Sequence, residues 1–416
     1  MLRLRAILAA LLLGAPLAAS AADITRIASS FDEDDPFDLF IDVGFERTQS
    51  REKIVREQLA GTELQEASEV WHKAVDSRLN LKLAIGLYKD LEFSFGLPLI
   101  LQQNDSYNFV SGTNDANSTI VNNCLNPDGT LSSTACPSSL FTIPQTSKRG
   151  GLGNMHFGMA YAFFNQQRDD TKPMWLVGLD YEAPTAKVRD PSEDNTAVTN
   201  TKGNVGDGVH KYTFYTSLSR KMGVAEPYFK ASYTLPVLGP GFYSNCAHPE
   251  TLGTPENCGV GKWNRKETGI HAPQVASFLF GSEFTAFRDT NKDQKFALDI
   301  RTIGNYVSAG RYYNELSAAM GKLLSSSDFF QVGGQVGATA SAGEAFTLRA
   351  SGTFLYDTDH TLTNESLGVT PQDAAANPSN PDINPNFDYR TDLTTRRFRA
   401  TESTTFRLEL SASFAF

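Results

Sequence analysis

Twelve short stretches of this chain place apolar residues at every second position, and the links between them run alternately short and long. Alternation with a period of two is the pattern of a strand that has one apolar face. The stretches begin at Phe37, Leu79, Leu91, Met155, Trp175, Tyr212, Phe229, Phe278, Phe296, Val332, Phe346 and Phe398. The short links are Tyr88–Asp90, Asn165–Lys172, Arg220–Glu226, Arg288–Gln294 and Gly343–Ala345. The long ones are 51–70, 102–149, 183–208, 236–273, 307–328 and 359–395. A compact soluble domain seldom holds that many long structureless loops. Short turns on one side and long loops on the other are what a transmembrane barrel shows. The expected fold is therefore all-β: an antiparallel up-and-down barrel of about 12 strands over residues 37–416, with short periplasmic turns and long outer loops.

The chain ends in FRLELSASFAF, Phe406 to Phe416, with an apolar residue at every even position. A strand that stops on a bare aromatic usually frays. In a barrel, lipid receives that face, and the last strand pairs with the first so that neither keeps a free edge. The pattern also resembles the terminal signature of bacterial outer-membrane proteins, which implies two partners. One is the outer-membrane lipid, and the other is the assembly machinery that reads the strand ending at Phe416.

Residues 1–21 have Arg3 and Arg5, an apolar run of 12 residues from Ala6 to Leu17, and then Ala19-Ser20-Ala21. That is the layout of a secretory signal peptide, and the run is too short to cross a bilayer as a helix. Residues 22–36 form a short periplasmic segment containing Asp32-Glu33-Asp34-Asp35; the acidic run reads as solvated, with a plug folded back into the lumen as the alternative. The net charge of −10 gives no footprint for nucleic acid. Cys124 and Cys136, like Cys246 and Cys258, are 12 positions apart, too wide for a zinc-binding pair. In an exported chain this spacing predicts two local disulfides in outer loops.

If the stripes face lipid, the residues between them face the lumen. Strand one then turns Asp42 and Glu46 inward, the second strand Arg78 and Lys82, and the last strand Arg407 and Glu409. Asp180, Asp299, Arg301 and Arg349 add inward charges elsewhere on the wall. Counting residues from the periplasmic ends sets Asp42 against Lys82, and Glu46 against Arg78 and Arg407. A bore of roughly 25 Å can be narrowed by such side chains into a polar constriction. The same charges can equally serve to brace the wall.

The segments LNLKLAIGLYKDLEFSFGLPLI (79–100), GGLGNMHFGMAYAF (150–163) and WLVGLDYEAPTA (175–186) resemble the outer-membrane transporters named for a phenol-degradation (MetA) pathway. That family shows a strand-turn-strand-Pro segment, a Gly-Leu-Gly-Asp strand and a strand closing on Pro-Thr-Gly. Here Asn154 replaces the Asp and Ala186 the final Gly. The resemblance implies a barrel that passes a solute and names no substrate. Neither a Gly-x-Ser-x-Gly nor a His-Glu-x-x-His occurs, and Asp289-Thr-Asn-Lys-Asp293 lacks the Gly and Glu of a calcium loop. The expectation is an outer-membrane channel or transporter for passive passage of a small solute, with no enzymatic activity and no cofactor. The alternative is a non-conducting barrel that docks an envelope complex.

Overall fold

The computed structural model describes residues 22–30, 38–126, 129–132, 136–195, 204–246, 265–343, 345–367 and 384–416. Its strands are β1 (Leu39–Ala60), β2 (Glu63–Tyr88), β3 (Leu91–Phe109), β4 (Gln145–Leu152), β5 (Met155–Phe164), β6 (Met174–Ala183), β7 (Val209–Ser219) and β8 (Ala225–Leu238). They continue with β9 (Val275–Asp289), β10 (Gln294–Val307), β11 (Gly310–Tyr312), β12 (Leu324–Ser326), β13 (Phe329–Ala342), β14 (Phe346–Asp357), β15 (His360–Thr361) and β16 (Phe398–Ala415).

Each of the twelve sequence stripes falls on a wall strand. Among the described residues the ring runs β1-β2-β3-β5-β6-β7-β8-β9-β10-β13-β14-β16 and closes by pairing β16 with β1. β4 pairs with β3 above β5, so β4 and β5 together fill one place in the wall. The terminal aromatic is fully engaged. Phe416 donates its N–H to Leu39 O and accepts from Leu39 N–H, both at 3.0 Å.

Outward positions are apolar and open. Phe278, Phe280, Ile300, Val336 and Phe406 are all more than half exposed. So large a continuous apolar surface is untenable in water and natural against lipid. Aromatic residues mark its rims. Trp175 meets Phe163 and Phe164 at ring distances of 5.1 and 5.6 Å, and the Arg51 guanidinium lies 3.8 Å over Trp71. The chain is an outer-membrane β-barrel, and the only helices among the described residues are a few short loop turns.

The expected long link at 51–70 is corrected. β1 and β2 continue through it and join by a two-residue turn, Gly61-Thr62. Gly61 has φ +69°, a conformation natural to glycine. At 22 and 26 residues these strands far exceed the 9–11 or so needed to cross the hydrocarbon. Above the bilayer the outer face meets water. The apolar stripe therefore stops, while the ladder of backbone hydrogen bonds does not.

The lumen is occupied at both ends. At the outer end, wall residues Ile54, Val70 and Tyr107 pack against loop residues Ile120 and Phe141, Leu316 beside the short helix Ser317–Met320, and Leu362. At the periplasmic end sit residues 22–30, with Ile27 against Ala162, Met174 and Leu176. The acidic run Asp32–Asp35, expected to be solvated, lies outside the described residues. Cys124 and Cys136 form the expected disulfide, their Cα atoms 5.0 Å apart. Cys246 is also disulfide-bonded, while Cys258 lies outside the described residues.

Candidate functional site: a charged chamber between two closures

The wall at mid-height is built by strand register. Glu46 lies opposite Arg78 on β2 and opposite Glu409 on β16. Its carboxylate is 3.7 Å from the Arg78 guanidinium and 3.8 Å from that of Arg407. Arg78 also binds Asp76 at 3.0 Å, and Arg407 lies 3.8 Å from Glu409. The Arg78, Arg407 and Glu409 side chains remain 35–39% exposed although they point inward between two closures. These three side chains are therefore partly open to solvent. In such a setting an ion pair stabilises by at most about 1 kcal/mol. Glu46→Gln should accordingly lower thermal stability by no more than that, measured as the temperature at which the folded gel band is lost. A loss several times larger would mean that the chamber is dry.

Asp42 faces Lys82 in register, as counted, but its partner is different. Arg26 from the amino-terminal segment reaches both carboxylate oxygens, at 2.8 and 3.1 Å, and Lys82 is left exposed to the lumen. A planar guanidinium matches a carboxylate in this two-point way better than an ammonium does. The remaining predicted charges are spread round the wall. Asp299 binds Arg301 at 2.8 Å and accepts the Tyr228 hydroxyl. Arg349 stands opposite Ser411, and Asp180 faces Gly158 on β5. Of the ten residues proposed for the lumen, Glu46, Arg78, Arg407 and Glu409 form one cluster, and Asp299 and Arg301 form a pair elsewhere.

The outer closure contains charges from the segments read as long links, 51–70 and 102–149, together with His72 at the outer end of β2. His72 is sandwiched between Glu52 and Asp105, and Asp105 also takes Arg149. Glu69 accepts from Ser118 Oγ at 2.6 Å and from Thr119 N–H at 3.0 Å. Arg56 ties two loops to the wall through Thr119, Arg390 and Arg396. Higher in the cap, Lys322 and Asp388 make a buried pair at 2.8 Å.

Asp392 sits beside that pair, buried, and accepts N–H bonds from Glu365 at 3.1 Å and Asp388 at 3.0 Å. Burial pushes its carboxyl up to about 7; Lys322 opposes this, and Glu365 and Asp388 add to it. An unfolded aspartate titrates near 4. The folded form thus holds a proton that the open form has lost, and stability falls as pH rises from about 4 to about 7. Hydrogen exchange in 384–396, corrected for intrinsic rates, should be faster at pH 8 than at pH 5, and Asp392→Asn should remove the difference. Equal protection at both pH values would contradict this placement of Asp392.

The periplasmic closure is held by wall carboxylates. Glu92 accepts Ala28 N–H and Glu226 accepts Ala22 N, each at 2.7 Å. Thr25 Oγ1 meets Ser219 Oγ at 2.7 Å, and Ser30 pairs with Lys89 through both backbone groups. Gly86 makes room for the segment, because a Cβ there would lie 2.3 Å from Ser29 O.

The segments that carried the family resemblance build one corner of the wall. Asn154 donates to Glu182 at 2.7 Å and accepts Ala186 N–H at 3.0 Å, and Gly153 N–H bonds Pro98 O at 2.9 Å. No protein-family model matches the chain, and no curated protein is similar to it. Among solved structures, the COG4313 outer membrane channel from Pseudomonas putida F1 aligns with 96% of this chain and 100% of its own, at 10% identity and a TM-score of 0.45. A Pseudomonas aeruginosa FadL homologue aligns with 91% and 90%, at 10% identity and a TM-score of 0.35. The outer membrane protease OmpT from Escherichia coli aligns with 92% and 99%, at 8% identity and a TM-score of 0.29. At such scores, substrate and activity have to be argued from this chain's own residues.

Proposed function

We propose that this barrel is an outer-membrane channel for passive passage of a small solute, in keeping with the transporter family that segments 79–100, 150–163 and 175–186 resemble, and is not an enzyme. The observation that carries the reading is the inward cluster in which Arg78, Arg407 and Glu409 stay partly exposed around the more buried Glu46. Charges at membrane depth are tolerated when they face a wetted cavity, and rings of them select what passes. A barrel whose charges served only as braces would bury them in tight pairs. The two closures describe a resting state, and the amino-terminal segment is the smaller obstacle.

The docking alternative also has an observation in its favour, since both ends are occupied. Planar-bilayer recordings separate the two. A chain lacking residues 23–30 should conduct several-fold more than the intact protein, and Glu46→Gln in that background should reduce cation preference. A folded, truncated barrel that stays silent would favour the docking role.

A further inference from the structure

Glu226 is buried, 5% exposed, and stands directly opposite a second acid, Glu283, in the pairing of β8 with β9. Glu283 has a cation of its own, Lys295 at 2.5 Å. Among the described residues no lysine or arginine reaches ion-pair distance of Glu226, and Lys221 acts on it only from further away. Its oxygen Oε1 receives Ser219 Oγ at 2.9 Å and the backbone nitrogen of Ala22 at 2.7 Å, and Ala22 is itself 1% exposed. A buried carboxylate beside another acid needs a positive partner; neutral donors alone leave it costly.

Ala22 is also the residue that follows Ala19-Ser20-Ala21, the small-residue end of the signal-peptide pattern. We propose that signal-peptide cleavage creates the missing cation, and that Glu226 is the binding site for the α-ammonium of the mature chain. Hydrolysis of the Ala21–Ala22 peptide bond adds one water. Ala21 leaves as a carboxylate, and the new amine of Ala22 takes up the proton. The neutral amide donor of the precursor thereby becomes a full charge, 2.7 Å from Glu226 Oε1. The periplasmic closure is then anchored at one end by this pair and further along by Arg26 on Asp42, which lies 16 positions on in the chain. Seating of the segment becomes conditional on processing: the precursor, still carrying its leader, lacks the ion pair. This rests on the reading of residues 1–21 as a signal peptide and does not require the barrel to conduct.

The test uses the exported, full mature protein in detergent micelles at pH 7. Intact mass should show a chain that begins at Ala22. Acylation of the α-amine by a small anhydride should be at least ten-fold slower in the folded protein than in the heat-unfolded one. Glu226→Gln should remove most of that protection while the folded gel band persists. Gly86→Val, which puts side-chain atoms where Ser29 O now sits, should expose the amine in the same way with Glu226 intact. A mature terminus elsewhere than Ala22, or an α-amine as protected in Glu226→Gln as in the unaltered protein, overturns the proposal. Failure of the channel reading would instead appear as silence in bilayers with the amine still protected.

Discussion

Asp388→Ala is expected to open the outer cap while leaving the barrel folded. Asp388 and Lys322 are both buried, 2.8 Å apart, and Arg390 adds bonds from Nε and Nη2 to the same carboxylate. Burial alone would push the Asp388 carboxyl up; Lys322 and Arg390 overcome this and hold it well below the usual carboxylate range. The group therefore stays ionised at any working pH, and its contribution is lost only in strong acid. Removing it leaves the Lys322 ammonium buried without its counter-charge. A broken buried pair of this kind costs about 3–5 kcal/mol. The loss should appear as faster hydrogen exchange in 313–327 and 384–397, the two segments the pair joins, with little change in the wall strands. Lys322→Met added to Asp388→Ala should restore part of the protection, because the uncompensated charge is gone. Unchanged exchange in Asp388→Ala would show that the pair does not hold the cap.

The wall was legible in the sequence because lipid imposes a rule on every residue that touches it. Phe278, Phe280, Ile300 and Val336 are apolar for that reason, and their period of two fixes both strand and face. Counting from the periplasmic turns then placed Glu46 near Arg78 and Arg407, since backbone pairing carries register faithfully over short distances. The rule ends where the lipid ends. From Glu52 to Val70 the chain is still a ladder, but its outer face meets water and its inner face meets loops, so no stripe marks it. Glu52, Glu69 and Arg56 disappeared from the reading with that segment. The amino-terminal segment was illegible for another reason. Part of its hold on the wall lies in backbone N–H groups given to Glu92 and Glu226, and backbone donors leave no trace in residue type. Asp42 shows the consequence. Its facing residue Lys82 was found by counting, and its true partner Arg26 could come only from a segment whose position no periodicity announces.

Arg56→Met should loosen two loops at once, which distinguishes it from the loss of Asp388. The Arg56 side chain is buried in the outer mouth and spends its donors on backbone carbonyls of distant segments. Nη1 bonds Thr119 O at 2.6 Å, Nη2 bonds Arg390 O at 2.5 Å, and Nε bonds Arg396 O at 3.2 Å. Its guanidinium also lies 5.1 Å from the ring of Phe398, at the start of β16. Methionine keeps much of the volume and none of the donors. Hydrogen bonds involving a charged group contribute about 1.5–3 kcal/mol each, so losing more than one should cost about 3 kcal/mol or more. Glu69 is not orphaned by the change, because Ser118 and Thr119 continue to satisfy it. The damage therefore falls on carbonyls that are left without donors in both loops. Exchange should quicken together in 117–125 and 388–397, whereas Asp388→Ala should leave 117–125 protected. Arg56→Lys should recover only part of the effect, since one ammonium cannot span three carbonyls set in different directions. If only one of the two loops responds to Arg56→Met, the guanidinium is not the joint between them, and the outer closure is two independent lids.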